Sequence, residues 1–428
     1  MTAQATGQAP ALARETMGQM LSRRLRSPAA WSETVDLFAI LTAASLPWST
    51  SLAGIFNALM LLCMVPFLDV RAFLQSLKRP ICVAPIALVL LALVGTLWSD
   101  AAWGARFYAV NPTVKLLVLP VLLYHFERSS RGRWIFVAFL VSCALLSVMS
   151  WLVALYPNLA LKNDPPERGI FVKNYIDQSQ EFTLCAFALA LPALTFWRGG
   201  RAIASAACLA LILLFAGNMV FVASSRTALL CIPVLLALFA WKHLSRRASL
   251  LLLAATLAAS ALAWTTSPYL RQRITDIAVE YRHGHEDISR ASTAQRLTYW
   301  RKSLHAFAEA PLIGHGTGSI KRQFERAATG ESRLDAEIVS NPHNQTLNVA
   351  VQWGLLGVVL LYAMWIAQLR LFPGEGLAAW IGLVVVVQNI ASSLLNSHLF
   401  DFHEGWMYVL GVGVAGGMAL RAKADSRP

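Results

Sequence analysis

Apolar runs recur along almost the whole chain, at roughly 35–49, 52–68, 81–98, 111–125, 134–156, 182–197, 202–222, 227–241, 249–266, 345–367, 377–395 and 405–420. A helix needs about 20 apolar residues to cross the hydrocarbon of a bilayer, and many of these runs approach that length. Backbone polar groups inside lipid must be paired within their own segment, which makes each run a helix. The composition agrees, with 57% hydrophobic and only 14% charged residues, and excludes a soluble domain. The chain is therefore expected to be an all-α polytopic membrane protein with about twelve transmembrane helices.

The formal charge of +13 does not point to nucleic acid. The basic residues stand in short blocks between apolar runs, where anionic membrane lipids on the cytoplasmic side account for them. Cys63, Cys82, Cys143, Cys185, Cys208 and Cys231 all fall inside apolar runs without CxxC spacing, so they read as packing residues.

The first apolar run begins near Val35, too late for an ordinary signal peptide, so residues 1–30 read as a retained cytoplasmic tail. Arg71, Lys78 and Arg79, then Arg128, Arg131 and Arg133, then Arg198 and Arg201, then Lys242, Arg246 and Arg247, share one side with Arg370, Arg421 and Lys423. That sorting puts both termini in the cytoplasm. It divides the chain into a transmembrane bundle over 31–266, a large outside segment over 267–344, and further spans with a cytoplasmic C-terminus over 345–428. A shorter outside segment, 157–181, contains Lys162, Asp164, Arg168, Lys173, Asn174, Gln178 and Gln180. Outside segments of that length in a compact membrane protein carry structure and a purpose.

Three features on the outside face carry chemistry. In Ser340-Asn341-Pro342-His343-Asn344-Gln345-Thr346-Leu347, Asn341 suits an N-cap and Pro342 the first helical position. His343 then falls in the first turn of a membrane helix, where the partial positive charge disfavours imidazolium and leaves a neutral base. Arg226 stands between two apolar runs with almost no loop around it, as a functional membrane arginine does. Arg296 lies on a helix that the capping box Ser292-Thr293-Ala294-Gln295 starts and Pro311 ends. There it shares a stripe with Trp300, Ser303 and Phe307, with Lys302 on the other side, so a carboxylate or a bound anion should meet it.

Plainer readings stand beside these. His343 could be an interfacial cap residue, Arg226 a snorkelling anchor, and Arg296 a structural partner of Asp335, Glu337 or Asp401. The turn Gly314-His315-Gly316-Thr317-Gly318 lacks the strand-then-helix setting of a dinucleotide site, though its backbone N–H groups could face a substrate. His398, Asp401, His403 and Glu404 read as a polar connection, and His283, His285 and Glu286 as a solvated loop. No spacing supports a metal site.

Ser225-Arg226-Thr227-Ala228, Arg296-Leu297-Thr298-Tyr299-Trp300, Pro311-Leu312-Ile313-Gly314-His315-Gly316 and Pro342-His343-Asn344-Gln345-Thr346-Leu347, in that order, resemble the O-antigen ligase and polymerase superfamily. The resemblance implies a GT-C-like polytopic glycosyltransferase acting on undecaprenyl-diphosphate-linked glycans at the outer face of the bacterial inner membrane. It implies metal-independent, inverting transfer without a cofactor, and for the ligase branch a lipid A–core sugar hydroxyl as acceptor. By the same carry-over His343 is the general base, Arg226 and Arg296 hold the donor diphosphate, and Asn344, Asn174, Gln180 and Asp401 are substrate contacts. A polymerase or protein O-oligosaccharyltransferase of the same superfamily is the near alternative. A transporter or lipid flippase is the distant one, and it would want ionisable residues near the middle of several spans.

Overall fold

The structure, a computed structural model, describes residues 27–161, 168–283 and 292–426. Most of the N-terminal tail, together with Lys162, Asp164, His285 and Glu286, lies outside the described residues. Among the described residues all regular structure is helical. The helices are α1 (Pro28–Ser45), α2 (Thr50–Met64), α3 (Val70–Ser76), α4 (Pro80–Val94), α5 (Trp103–Val114), α6 (Val118–Phe126), α7 (Gly132–Leu155), α8 (Tyr175–Arg198) and α9 (Ala202–Phe221). They continue with α10 (Arg226–His243), α11 (Arg246–Thr266), α12 (Pro268–His283), α13 (Ser292–Glu309), α14 (Ile320–Ala327), α15 (Gln345–Leu369), α16 (Leu377–Ser392) and α17 (Phe402–Asp425).

Every one of the apolar runs forms helix, but fewer of them are membrane-length than the expected count. Among the described residues 8 helices are long and apolar enough to cross a membrane, or 9 if α3 and α4, bent by 87°, count as one span. The physical reason is local. Helix α16 has 16 residues, and α1 carries Glu33 and Asp36 within its 18. The chain is a multi-pass membrane protein.

Helix starts follow side-chain chemistry. Ser49, Asn174, Ser225, Ser245 and Asn344 each accept a backbone N–H of the turn they precede, which satisfies donors that a helix start otherwise leaves orphaned. Helices α15, α16 and α17 form the centre with α4, α6, α8 and α10 against them. Trp353 and Trp380 are fully buried there. No residue of α11 is buried, as fits a helix whose apolar side chains face lipid over most of its surface.

The basic loops meet at one end of the bundle. Arg79 forks onto Glu127, Arg198 donates to the His243 carbonyl, Lys242 to that of Pro373 and Arg421 to that of Arg128. At the other end sit α12, α13 and α14, with Tyr299 and Ala306 of α13 packed on Ile320, Phe324 and Val351.

Helix α15 is broken at Gly354, whose φ of 59° and ψ of −155° leave the helical region. The segment Pro311–Gly316 repairs the break. His315 and Gly316 donate N–H bonds to the Val351 and Gln352 carbonyls at 2.9 and 2.8 Å, and Leu355 donates to Pro311 at 2.8 Å. Thr317 donates to Gly95, and Gly318 to the side chain of Gln352. The glycine turn is thus spent on the broken helix, and its N–H groups do not face a substrate as the sequence suggested. Irregular backbone of this kind persists near a membrane only where protein satisfies it.

Candidate active site

Helix α15 starts three residues later than expected. Asn344, not Asn341, is its cap, and accepts the Leu347 N–H. His343 therefore precedes the helix, with a left-handed φ of 53°. Asn341 still shapes the turn, because its Oδ1 accepts the His343 N–H at 2.9 Å and the Ser397 hydroxyl at 2.7 Å.

The imidazole is gripped on one edge. Its Nδ1 lies 2.8 Å from Asn396 Oδ1, and Asn396 Nδ2 donates to Asp401 Oδ2 at 3.1 Å. With its Nδ2 given to Asp401, the Asn396 amide turns its oxygen toward the ring, and an amide oxygen only accepts, so the ring nitrogen facing it carries the proton. Nε2 is left as the basic nitrogen. Tyr299 stacks on the ring at 6.1 Å between centroids, and its hydroxyl donates to Glu337 at 2.6 Å. Burial holds the His343 pKa below the ordinary imidazole value; Asn396 opposes that and Arg296 adds to it. The neutral ring is as expected, but burial and a guanidinium are the causes rather than a helix end.

Behind this edge, burial pushes the Asp401 carboxyl up to about 7, Lys115 opposing and Asp177 reinforcing. The Lys115 ammonium donates to the Phe400 carbonyl at 3.1 Å and to that of Asp401, which fixes the turn that carries the carboxylate.

The two arginines differ in their partners. The structural partners suggested for Arg296 are taken: Asp335 by Arg301, Glu337 by Tyr299 and Gln295, and Asp401 by Asn396. Arg296 itself has no hydrogen bond or ion pair among the described residues. Burial and the neighbouring Arg226 lower its pKa, the marks of a crowded cation. Arg226 is the paired one. Its Nη2 and Nη1 meet Glu280 Oε1 and Oε2 at 2.6 and 2.7 Å, and Nη1 also reaches the Ser292 hydroxyl at 2.7 Å. Burial would raise the Glu280 carboxyl, but the Arg226 fork and Thr293 hold it below its ordinary value.

Sequence reasoning missed Arg273, whose guanidinium lies 4.7 Å over the Tyr175 ring and acts electrostatically on Arg296. It also missed Asn396 and Tyr299 as partners of His343. Lys302, expected on the polar side of α13, is buried and donates to the Asp335 and Glu337 carbonyls. The expected capping box does not form as such, since Gln295 donates to Glu337 and the Ser292 and Thr293 hydroxyls turn to Glu280.

The remaining candidates divide. Asp401 joins the His343 network. Asn344 caps α15 and donates to the Leu394 carbonyl at 3.0 Å. Asn174 caps α8 and donates to Asp177, which pairs with His403 at 2.6 Å. Gln180 is fully buried and receives the Gln388 amide at 2.8 Å. A cavity of about 1040 Å³ borders the network through Asn341, Ser397 and Asp401, with Tyr108, Trp406 and Lys321 also on its wall. Among the described residues no group of three His, Cys, Asp or Glu side chains stands close enough together to hold a metal ion.

The arrangement couples a neutral base to a cluster of guanidinium groups in excess of their carboxylates. Such a site removes a proton from a weak acid and stabilises an anion beside it. Residues 209–362 match a family model described as O-Antigen ligase, a stretch containing Arg226, Glu280, Arg296 and His343 but not Asn396 or Asp401. No curated protein matches the sequence.

Proposed function

The chain belongs to the O-antigen ligase/polymerase superfamily, and from that premise we propose that it transfers a glycan from undecaprenyl diphosphate to a sugar hydroxyl of lipid A–core. One observation supports this reading above the others: the Nδ1-protonated, neutral His343 sits within electrostatic reach of Arg296, a cation without a partner among the described residues.

In the proposed step His343 Nε2 takes the proton of the acceptor hydroxyl. The acceptor oxygen forms a bond to the anomeric carbon from the face opposite the diphosphate. The anomeric C–O bond breaks, and its electron pair leaves with the polyprenyl diphosphate, so the configuration inverts. Arg296, Arg226 and Arg273 bind the diphosphate and stabilise the charge it gains, through charge-assisted hydrogen bonds suited to phosphoryl oxygens. Asn396 and Asp401 act through the ring by holding its tautomer, as a third group does in other base-centred sites. The cavity bordering Asn341 and Ser397 gives the acceptor sugar room, with aromatic and amide side chains on its wall. The reading places both termini in the cytoplasm, the site at the periplasmic face of the inner membrane, and about twelve spans in a GT-C-like arrangement.

Purified protein in vesicles, given an undecaprenyl-diphosphate glycan, a chelator and either lipid A–core or a second carrier-linked glycan, tests the assignment. Transfer to lipid A–core with inverted linkage, undiminished by chelator, is the expected result. Extension of the second carrier glycan alone would make the chain a polymerase, and no transfer to either acceptor would remove the glycosyltransferase reading.

A further inference from the structure

We propose that Glu280 is a placeholder for a phosphoryl group, and that Arg226, Ser292 and Thr293 form a subsite the donor occupies by displacing it. The proposal rests on the reading above that the donor is a diphosphate.

Glu280 is held as a phosphoryl group would be. One oxygen, Oε1, meets Arg226 Nη2 at 2.6 Å. The other, Oε2, takes Arg226 Nη1 at 2.7 Å, the Thr293 hydroxyl at 3.1 Å, and the Ser292 hydroxyl and Thr293 N–H at 3.2 Å each. A forked guanidinium, two hydroxyls and a backbone N–H at the start of an 18-residue helix are the donors that bind phosphate oxygens elsewhere. The carboxylate supplies the same charge and the same two-oxygen fork.

The surroundings favour exchange over a fixed structural pair. Arg296, without a partner among the described residues, stands within electrostatic reach of Arg226, Glu280 and Arg273, and Asp276 acts on Arg226. A diphosphate carries more charge than one carboxylate and can meet Arg226 and Arg296 together. Glu280 and a diphosphate cannot share the cluster without like-charge repulsion. Release costs little packing, because beyond Leu270 no described side chain of α12 is buried. The bonds of Glu280 tie the C-terminal half of α12 to the head of α13.

The test measures binding of inorganic pyrophosphate to the purified full chain, by calorimetry, for wild type, Glu280→Gln, Arg296→Ala and Glu280→Gln combined with Ser292→Ala and Thr293→Val. A placeholder lowers apparent affinity by the fraction of sites it fills. Glu280→Gln should therefore bind roughly tenfold more tightly and lower the donor KM with kcat little changed, and the combined variant should lose that gain. Unchanged or weaker binding in Glu280→Gln, at unaltered thermal stability, would make Glu280 a structural partner and overturn the proposal. If pyrophosphate binds wild type and Glu280→Gln equally and Arg296→Ala abolishes it, the placeholder falls while the diphosphate reading stands. If pyrophosphate binds none of them, both fall.

Discussion

His343 takes a backbone conformation that costs a non-glycine residue of order 1–3 kcal/mol. Asn341, Ser397 and Asn396 hold it there, each through one hydrogen bond into the turn or the ring. The neutral ring is the active form, so activity falls as pH drops through its pKa. Because burial and Arg296 lower that pKa, the acid limb of kcat/KM should lie below 6.5, the ordinary imidazole value. Asn396→Asp places a carboxylate on Nδ1, favours imidazolium and should move the limb to higher pH. Asn396→Ala removes the one bond that raises the pKa and should move it lower, with a reduced plateau from the untethered ring. Limbs that coincide in a pH–rate profile of all three forms would show that His343 does not set the profile. The histidine was legible because it stands at the head of an apolar run, and Arg296 because it projects from the apolar stripe of its helix. Asn396 and Arg273 were not, since an asparagine in a short connection and an arginine on an exposed amphipathic helix look like ordinary surface.

At the scale of elements, the site depends on α15 stopping and restarting at Gly354. A Cβ there would come within 2.5 Å of the Leu312 backbone, and one at Gly314 within 2.5 Å of Gln352. Backbone atoms cannot yield as a flexible side chain can. Gly354→Ala and Gly314→Ala should each cost more than about 2 kcal/mol, combining left-handed strain with the clash. Gly330→Ala, at φ 81° but in open space, should cost only about 1 kcal/mol. Heating the detergent-solubilised variants and following folded monomer by size exclusion checks the order, and equal losses at all three would refute the packing argument. The glycine turn and the apolar run were each visible in the sequence. Their pairing was not, because it joins residues about forty positions apart through backbone bonds alone. The buried face of α13 was misjudged for a related reason: Lys302 is buried by carbonyls of a distant turn, which no helical wheel contains.

For the whole molecule, the helical class and the sorting of basic loops to one end could be read from composition and charge spacing. The span count was not secure, because a short helix such as α16 and an acidic one such as α1 sit in the bundle without membrane length or composition. With native cysteines replaced, Ser130→Cys at the basic end should react with an impermeant thiol reagent only from the cytoplasm, and Ser332→Cys only from the periplasm. Labelling on reversed sides would invert the topology and remove the site from the exported substrate. The central claim, that a neutral His343 beside an arginine cluster performs the transfer, is tested most directly by the single-turnover rate of glycan transfer in vesicles for wild type and His343→Ala. Loss of a general base predicts a fall of roughly 10²–10⁴-fold in a protein that still inserts and binds pyrophosphate. A His343→Ala rate within a few-fold of wild type would contradict it.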